Sequence, residues 1–237
     1  MQRKIVLFIV EGKNDKIELN AILHDIRFKE YIEKYDCEFY CFNGDITADN
    51  NSNQNNIVKR LTDLVIKWRK TSMPFGTIKN SEMHEIIHII DMDGAYIDSE
   101  FIKKSDVGSL EYFDNYIETV NPELTISRNN KKSYIIDDLV MIDRIDNIPY
   151  SIYYVSCNMD HLLFNRRNSN SKTLDAQKFA HDCYKGQIDL AETVFNDDYH
   201  LANEYYQSWE EIRNGFHSLG RYTNIDLIIN NISDINK

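Results

Sequence analysis

Two continuous apolar runs, each followed at once by carboxylates, constrain this sequence more than any other feature. The first run spans residues 5–10 and leads into Glu11, and the second spans residues 86–90 and leads into Asp91 and then Asp93. Both runs have the length and β-branched content expected of strands buried on both faces of a parallel sheet. Ligands of open α/β sheets bind beyond the carboxyl ends of such strands. The pattern therefore predicts one acidic cluster that suits a divalent cation.

The net charge restricts how this chain can meet a partner. It has 38 acidic and 27 basic residues, which gives a formal net charge of −11. A protein that binds nucleic acid by electrostatics alone usually carries a basic excess. A nucleic-acid enzyme of this composition therefore needs a local basic patch, a metal ion that offsets its acids, or a partner subunit.

The composition indicates a folded, globular chain. With 237 residues, 42% of them hydrophobic, it fits one domain, or one domain with an extension. The longest apolar run is too short to span a bilayer and no signal-peptide pattern opens the chain, so we expect a cytoplasmic protein with no membrane segment. The four cysteines lack metal-ligand spacing, which favours reduced and mostly buried thiols.

The first half of the chain alternates strand and helix patterns. The predicted elements are a strand at 5–10, a helix from near Lys16, a strand at 37–42, a long polar loop at 44–56, a helix from Ile57 that ends at Pro74 and Gly76, and a strand at 86–90. This alternation predicts right-handed crossovers and a mainly parallel sheet of about four strands, flanked by helices.

The second half has a weaker pattern with a helical end. The predicted elements are a helix at 110–120, a basic loop at 127–132, an ambiguous segment at 134–145, a strand at 150–156, and helices at 174–184, 201–216 and 225–232. Together the two halves predict an α/β fold with a helical C-terminal extension. The polar stretch 166–172 divides a catalytic domain, 1–165, from that extension, 166–237.

Two short motifs follow one another along the chain, Phe-Ile-Val-Glu-Gly-Lys-Asn-Asp at 8–15 and Ile-Ile-Asp-Met-Asp-Gly at 89–94. In this order, they resemble the motifs of the Toprim domain. Toprim is the catalytic fold of topoisomerases, primases, the small ribosomal-RNA maturase and the overcoming-lysogenization-defect nucleases. The first motif looks most like that of the maturase and the nucleases. The resemblance covers about the first 100 residues and extends to the strand that ends at Ser156.

The resemblance implies a role for each acidic residue. Glu11 would be the catalytic acid or base, and Asp91 and Asp93 would hold Mg²⁺. Asp15 matches an acidic position that follows the first motif in several nucleases. Asp160 occupies the place of a further acidic residue that opens a helix after the next strand, where the usual residue is Glu.

Basic residues near these motifs are candidates for binding phosphate. Scattered surface charge is an equally open interpretation for each of them. The candidates are Lys13, Arg128, Lys131, Lys132, Arg166 and Arg167.

We therefore expect a Mg²⁺-dependent endonuclease, with Mn²⁺ as an alternative ion, that cleaves phosphodiester bonds of DNA or RNA. Metal ions would stabilise charge on the scissile phosphate while Glu11 moves protons. The sequence contains no Gly-x-x-x-x-Gly-Lys-Ser/Thr loop. By resemblance to the overcoming-lysogenization-defect class, an ABC-type ATPase would then be a separate partner, as expected in anti-phage defence. A homo-oligomer is left open.

Two other functions are compatible with the sequence. The stretch that begins at Asp91 also resembles the aspartate motif of haloacid-dehalogenase-type phosphatases, in which Asp91 would be a nucleophile. Ala95 stands where that family carries Thr or Val, and Glu11 would have no role. The acidic composition and helical end also fit a non-catalytic interaction subunit, although the complete set of Glu11, Asp91 and Asp93 argues against a decayed site.

Overall fold

The computed structural model describes residues 3–72, 76–106 and 108–230 and has an α/β architecture. Its first half follows the predicted alternation of strands and helices, with two helices in the first crossover. The elements are β1 (Lys4–Val10), α1 (Lys13–Ile22), α2 (Ile26–Tyr35), β2 (Cys37–Asn43), α3 (Ile57–Thr71) and β3 (Met83–Asp91).

The second half adds short strands, one long helix and several short helices. The strands and helices are β4 (Ile102–Lys104), β5 (Glu111–Tyr112), β6 (Ile117–Thr119), α4 (Pro122–Val140), β7 (Arg144–Ile145), β8 (Ile148–Val155), α5 (Met159–Phe164), α6 (Lys172–Tyr184), α7 (Tyr205–Glu211) and α8 (Leu227–Asn230). Single 3-10 turns lie at Asn80–Glu82, Ser99–Phe101, Asp197–Tyr199 and His217–Leu219.

The main sheet has the strand order β2-β1-β3-β8-β7. The first four strands are parallel, and β7 pairs antiparallel with β8 at one edge. A mainly parallel sheet is therefore confirmed, with one antiparallel edge strand in addition to the four strands expected. Because β1 and β3 are neighbours, their carboxyl ends lie side by side.

Helices cover both faces of this sheet. Val6, Phe8 and Val10 pack with α1, α2, α5 and α6, whereas Leu7 and Ile9 pack with α3 and α4 on the other face. Alternate side chains of a strand point to opposite faces, so a strand that is apolar throughout must be covered twice. No helix in the described ranges combines the length and the apolar character needed to cross a bilayer.

The segment 110–120, predicted as a helix, forms strands instead. β5 pairs antiparallel with β6, and β4 pairs parallel with β6, which makes a small second sheet. In β6, Ile117 and Thr119 are buried while Glu118 between them is partly exposed. The helix prediction is wrong because burial repeats here every two residues, which is the period of a strand.

The segment 127–132, predicted as a basic loop, lies inside α4. Asn121 caps this helix by accepting a backbone hydrogen bond at 3.2 Å, and Pro122 occupies its first turn. The loop prediction is wrong because the inward face of the helix is partly polar. Asn129 and Lys132 are buried there, so hydrophobic spacing does not reveal the helix.

The remaining differences concern the ends of elements. The ambiguous segment 134–145 divides into the end of α4 and the strand β7. The helix predicted at 201–216 is limited to α7, and the chain beyond Glu211 continues in turns, with Gly215 at a φ of 52°. The last helix is the single turn α8. Pro74 and Ile232, to which helix ends were assigned, lie outside the described residues.

Residues beyond 166 pack directly against the sheet. α6 contacts α1 on one face, and Trp209 of α7 joins the apolar cluster of α3 and α4 on the other. Asn224 Oδ1 accepts a hydrogen bond of 2.7 Å from the backbone of Tyr154 in β8. These residues therefore contribute to both cores, and the boundary between 165 and 166 stays a prediction.

Candidate active site

The candidate site lies where β1 and β3 end. Glu11 directly follows β1, Asp91 is the last residue of β3, and Asp93 comes two residues later. β1 and β3 pair in parallel, so the strand ends bring the three carboxylates close enough for Asp93 to raise the pKa of Glu11 and for Glu11 and Asp93 to raise the pKa of Asp91.

A sharp turn after β3 orients Asp93. Asp93 and Gly94 adopt left-handed φ values of 52° and 69°, and the Asp93 amide donates a hydrogen bond of 2.8 Å to the carbonyl of Cys157. A Cβ on Gly94 would lie 2.8 Å from Leu219 Cδ2 and 2.9 Å from Ile117 Cδ1. The glycine is therefore required by its conformation and by its neighbours.

Lys132 of α4 connects the two strand ends. Its side chain is fully buried, and Nζ lies 2.7 Å from Asp93 Oδ2 and 3.5 Å from Glu11 Oε2. Burial opposes the charged form, but the carboxylates of Asp93 and Glu11 raise the pKa of Lys132 above its ordinary value. The ammonium is thus a fixed positive charge within the acidic cluster.

The other carboxylate oxygen of Asp93 binds a tyrosine. The Tyr112 hydroxyl donates to Asp93 Oδ1 at 3.0 Å, and Arg128 reaches both the Tyr112 hydroxyl at 3.3 Å and the Asp93 carbonyl at 3.2 Å. Burial opposes ionisation of Asp93, but Lys132 and Arg128 hold its pKa below the usual range. Asp93 is therefore a charged, hydrogen-bonded anchor.

Glu11 has a proton affinity suited to chemistry near neutral pH. The Lys132 ammonium favours the ionised form of Glu11, but burial and the carboxylates of Asp93, Asp45 and Asp15 raise its pKa to about 7. Its side chain remains 38% exposed, so water and substrate can reach it. A carboxylate with a pKa near the working pH can both accept and donate a proton.

Asp91 has the opposite environment to Asp93. Burial, followed by the carboxylates of Asp15, Glu11 and Asp93, raises the pKa of Asp91 well above its usual value. Within the described ranges, no hydrogen bond stabilises its carboxylate. A carboxylate in such surroundings gains most from the approach of a cation.

Asp15 and Lys13 lie in the first turn of α1. The Gly12 amide donates a hydrogen bond of 2.6 Å to Asp15 Oδ2, which closes the turn between β1 and the helix. Burial raises the pKa of Asp15 despite this bond. Asp15 therefore lies at the acidic cluster as predicted, while Lys13 is exposed to solvent beside it.

A cleft of about 270 Å³ opens onto the carboxylates of Glu11, Asp91 and Asp93. Two cations, Arg167 and Lys172, also line it. Arg167 also pairs with Asp114 at 2.7 Å. The sequence singled out Arg167 but not Lys172, which lies at the start of α6 and reaches the cleft only because α6 packs against α1.

A second acidic group adjoins this cleft. Asp160, at the start of α5, pairs with Lys172 at 3.2 Å, and burial raises the pKa of its carboxyl. Glu18 of α1 lies nearby, and its Oε1 has no hydrogen-bond partner among the described residues. Burial, followed by the charges of Asp160 and Asp15, raises the pKa of Glu18 to about 9. Glu18 was missed because its position in α1 gave no separate signal.

Two other basic candidates lie outside the cleft. Arg166 is 60% exposed and lies 3.5 Å from Asp175. Lys131 donates a hydrogen bond of 2.8 Å to the carbonyl of Asp49, in the loop that follows β2. The structure therefore separates the six basic candidates, and Lys132 joins the acidic cluster itself.

A buried polar chain supports the site from within the sheet. His88 of β3 lies 2.9 Å from Asp45 Oδ1 through Nε2 and 2.9 Å from the Tyr150 hydroxyl through Nδ1. Thr47 also donates to Asp45 at 2.6 Å. The sequence signal for this polar chain is His88 itself, because a histidine inside an apolar strand indicates a buried polar partner.

The donor set fits a hard divalent ion held by few protein ligands. In the described part of the chain, no three His, Cys, Asp or Glu side chains are arranged around one point. Two of the nearby carboxylates, Asp93 and Glu11, pair instead with the Lys132 ammonium. Mg²⁺ usually binds through one or two carboxylates together with water and substrate phosphate. Asp91, with Glu11 beside it, offers that smaller set.

Comparisons with known proteins found no match. Neither the models of protein families, nor the curated proteins, nor the solved structures contain one that resembles this chain significantly.

Proposed function

We propose that this protein is a Mg²⁺-dependent nuclease that cleaves phosphodiester bonds of DNA or RNA. The observation that carries the proposal is that one cleft opens onto Glu11, Asp91 and Asp93, of which Glu11 and Asp93 also contact the buried Lys132 ammonium. Oxygen ligands, a titratable carboxylate and a fixed cation are the groups that phosphodiester hydrolysis requires.

Each side chain has a distinct role in this proposal. Glu11 takes a proton from the attacking water, since its pKa is near neutrality and its side chain is reached by solvent. Asp91 provides the principal ligand for Mg²⁺ or Mn²⁺. Asp93 is held by Lys132 and Tyr112, so it fixes the shape of the site. The bound ion would supply Lewis-acid stabilisation of charge on the phosphate.

Cations on the cleft wall support a phosphate-bearing substrate despite the acidic composition. Arg167 and Lys172 line the same cleft as the carboxylates and bring two cationic side chains to it, each of which also pairs with an aspartate. The opposing charges suit a substrate that binds to the wall through one phosphate and presents the next to the carboxylates.

We further propose that the fold is Toprim-like. Four parallel strands, with the two catalytic strand ends adjacent, support this assignment. The same resemblance motivates a separate ABC-type ATPase partner and a role in anti-phage defence. Co-purification from the native host tests the partner, and full activity of the purified protein alone would count against it.

The test of the function is cleavage of labelled plasmid DNA and of total RNA with Mg²⁺, Mn²⁺ or EDTA. We expect metal-dependent cutting by the wild type and loss of cutting in Glu11→Gln and Asp91→Asn. Asp63→Asn, an exposed site on α3, is the matched control and should cut normally. Metal-dependent cutting that survives both site variants would overturn the assignment. A phosphoenzyme that disappears in Asp91→Asn would instead favour a phosphatase.

A further inference from the structure

A second groove lies on the far side of α4 from the acidic cluster. It has a volume of about 560 Å³, within the range of small-molecule sites, and runs between the outer face of α4 and the loop 44–56. It is lined by Ile126 and Ser127 together with the polar, charged and aromatic side chains of Asn53, Gln54, Glu123, Asn130, Lys131 and Tyr134.

The loop that forms one wall is held by specific hydrogen bonds. Arg60 of α3 bonds Ser52 at 2.7 Å and Asp49 at 3.0 Å. The Asn53 amide donates to Asn56 Oδ1 at 2.9 Å. Lys131 of α4 adds the bond to the Asp49 carbonyl across the groove. The wall is thus built before any ligand arrives, which lowers the cost of binding.

The groove and the acidic cluster are linked by one helix. Arg128 and Lys132 project from α4 toward Asp93, whereas Asn130 and Tyr134 project into the groove. The two sites are therefore separated by about one helix diameter, roughly 10 Å. A flexible chain bound at one site can reach the other.

The lining chemistry selects a neutral, planar and hydrogen-bonding ligand. The charges of Lys131 and Glu123 cancel, so the groove has no excess positive charge that would attract a phosphate. Asn130 supplies a side-chain amide that can both donate and accept. Asn53 adds its Nδ2 donor and Gln54 its Oε1 acceptor, because Asn53 Oδ1 accepts from the Asn55 backbone at 3.0 Å and Gln54 Nε2 donates to Asp138 at 3.4 Å. The Tyr134 side chain is 56% exposed and offers a ring face. Amide edges beside an exposed aromatic ring are the means by which proteins hold unpaired bases.

We propose that this groove binds an unpaired base of a single-stranded nucleic acid that also passes the acidic cluster. The inference deepens the proposed nuclease function and rests on it for the identity of the reaction. Stacking on Tyr134 needs a base whose face is free, which duplexes do not offer in their interior. The substrate class is therefore single-stranded DNA or RNA.

The test measures binding and cleavage separately. Binding is followed by fluorescence anisotropy with short labelled oligothymidylate, oligouridylate and a duplex, in the Glu11→Gln background with Mg²⁺ present. The variants are Tyr134→Ala and Tyr134→Phe, and the matched control is Tyr184→Ala, since Tyr184 on α6 is 57% exposed. Cleavage of bis(4-nitrophenyl) phosphate, a phosphodiester without bases, is measured in parallel for the same substitutions with Glu11 intact.

We expect Tyr134→Ala to weaken binding of the single strands roughly 5- to 150-fold. Tyr134→Phe and Tyr184→Ala should bind like the parent, the duplex should bind weakly throughout, and cleavage of the baseless diester should be unchanged by Tyr134→Ala. Comparison of the affinities for oligothymidylate and oligouridylate shows whether the groove prefers DNA or RNA.

Three results would overturn the inference. They are equal binding by Tyr134→Ala and its parent, equal losses in Tyr134→Ala and Tyr184→Ala, and absence of single-strand binding by the parent. If Tyr134→Ala weakens binding but no substrate is cut in a metal-dependent way, the result supports base binding in the groove and contradicts the proposed nuclease function.

Discussion

The Lys132 ammonium of α4 lies 2.7 Å from the carboxylate of Asp93, in the turn after β3, where the lysine side chain is fully buried and the aspartate side chain is 15% exposed. Through this pair, α4 contributes to a site that is otherwise formed by the ends of β1 and β3. In the chain, α4 comes after the small second sheet. The pair also divides the acidic residues into two kinds. Asp93 is held ionised by Lys132, whereas Asp91 lacks such a partner within the described residues.

Lys132→Met should destabilise the protein and abolish catalysis. Removing one member of a buried ion pair leaves the other charge uncompensated, which typically costs about 3–5 kcal/mol. Denaturant unfolding should therefore give a lower free energy of unfolding for this variant. Lys13→Met, at an exposed position of α1, is the control and should unfold like the wild type. Wild-type stability in Lys132→Met would show that the pair contributes little.

The free energy of unfolding should decrease at low pH because Asp45 becomes protonated. Burial opposes its ionisation, but the hydrogen bond and charge of His88 hold the pKa of Asp45 at about 2. The unfolded carboxyl titrates near 4, so the unfolded state binds more protons between about pH 4 and pH 2. The contribution, about 2 kcal/mol, is complete above pH 5 and disappears as the pH falls through this window.

The measurement for Asp45 is the free energy of unfolding of wild type and Asp45→Asn across that pH range. We expect Asp45→Asn to be less stable at neutral pH and to lose less stability on acidification, so that the two curves approach each other. Parallel curves would contradict the assigned pKa.

Gly94→Ala should distort the turn that presents Asp93. The new Cβ would lie within 3 Å of Leu219 and Ile117 at a φ of 69°, and such strain costs on the order of 1–3 kcal/mol. Metal-dependent activity should decrease more than the loss of folded protein explains. Gly76→Ala is the control, since an added Cβ there meets nothing within 4 Å. Equal stability of the two variants would argue against the strained turn.

The strand ends were predictable from the sequence because their signal is local. A run of apolar residues buried on both faces identifies β1 and β3, and the carboxylates Glu11 and Asp91 follow directly. The identity of the three catalytic candidates thus required no long-range information, whereas the adjacency of β1 and β3 is a property of the strand order β2-β1-β3 that the structure shows.

The partners of these carboxylates were not predictable in the same way. The sequence predicts a polar loop around Lys132, because the inward face of α4 carries Asn129 and Lys132 at positions where apolar residues are usual. Tyr112 lies in a two-residue strand that exists only through its pairing with β6. Lys172 is brought to the cleft by packing of α6 on α1. The position of each of these three residues at the site depends on tertiary contacts, which produce no periodic pattern in the sequence.

The claim that the carboxylates form a divalent-cation site is tested most directly by Mn²⁺ binding, measured by electron paramagnetic resonance without any nucleic acid. The wild type and Asp63→Asn should bind Mn²⁺ alike, in competition with Mg²⁺. Asp91→Asn should bind at least about tenfold more weakly, because it loses a charged oxygen ligand. Equal affinities in wild type and Asp91→Asn, or no binding by the wild type, would contradict the site.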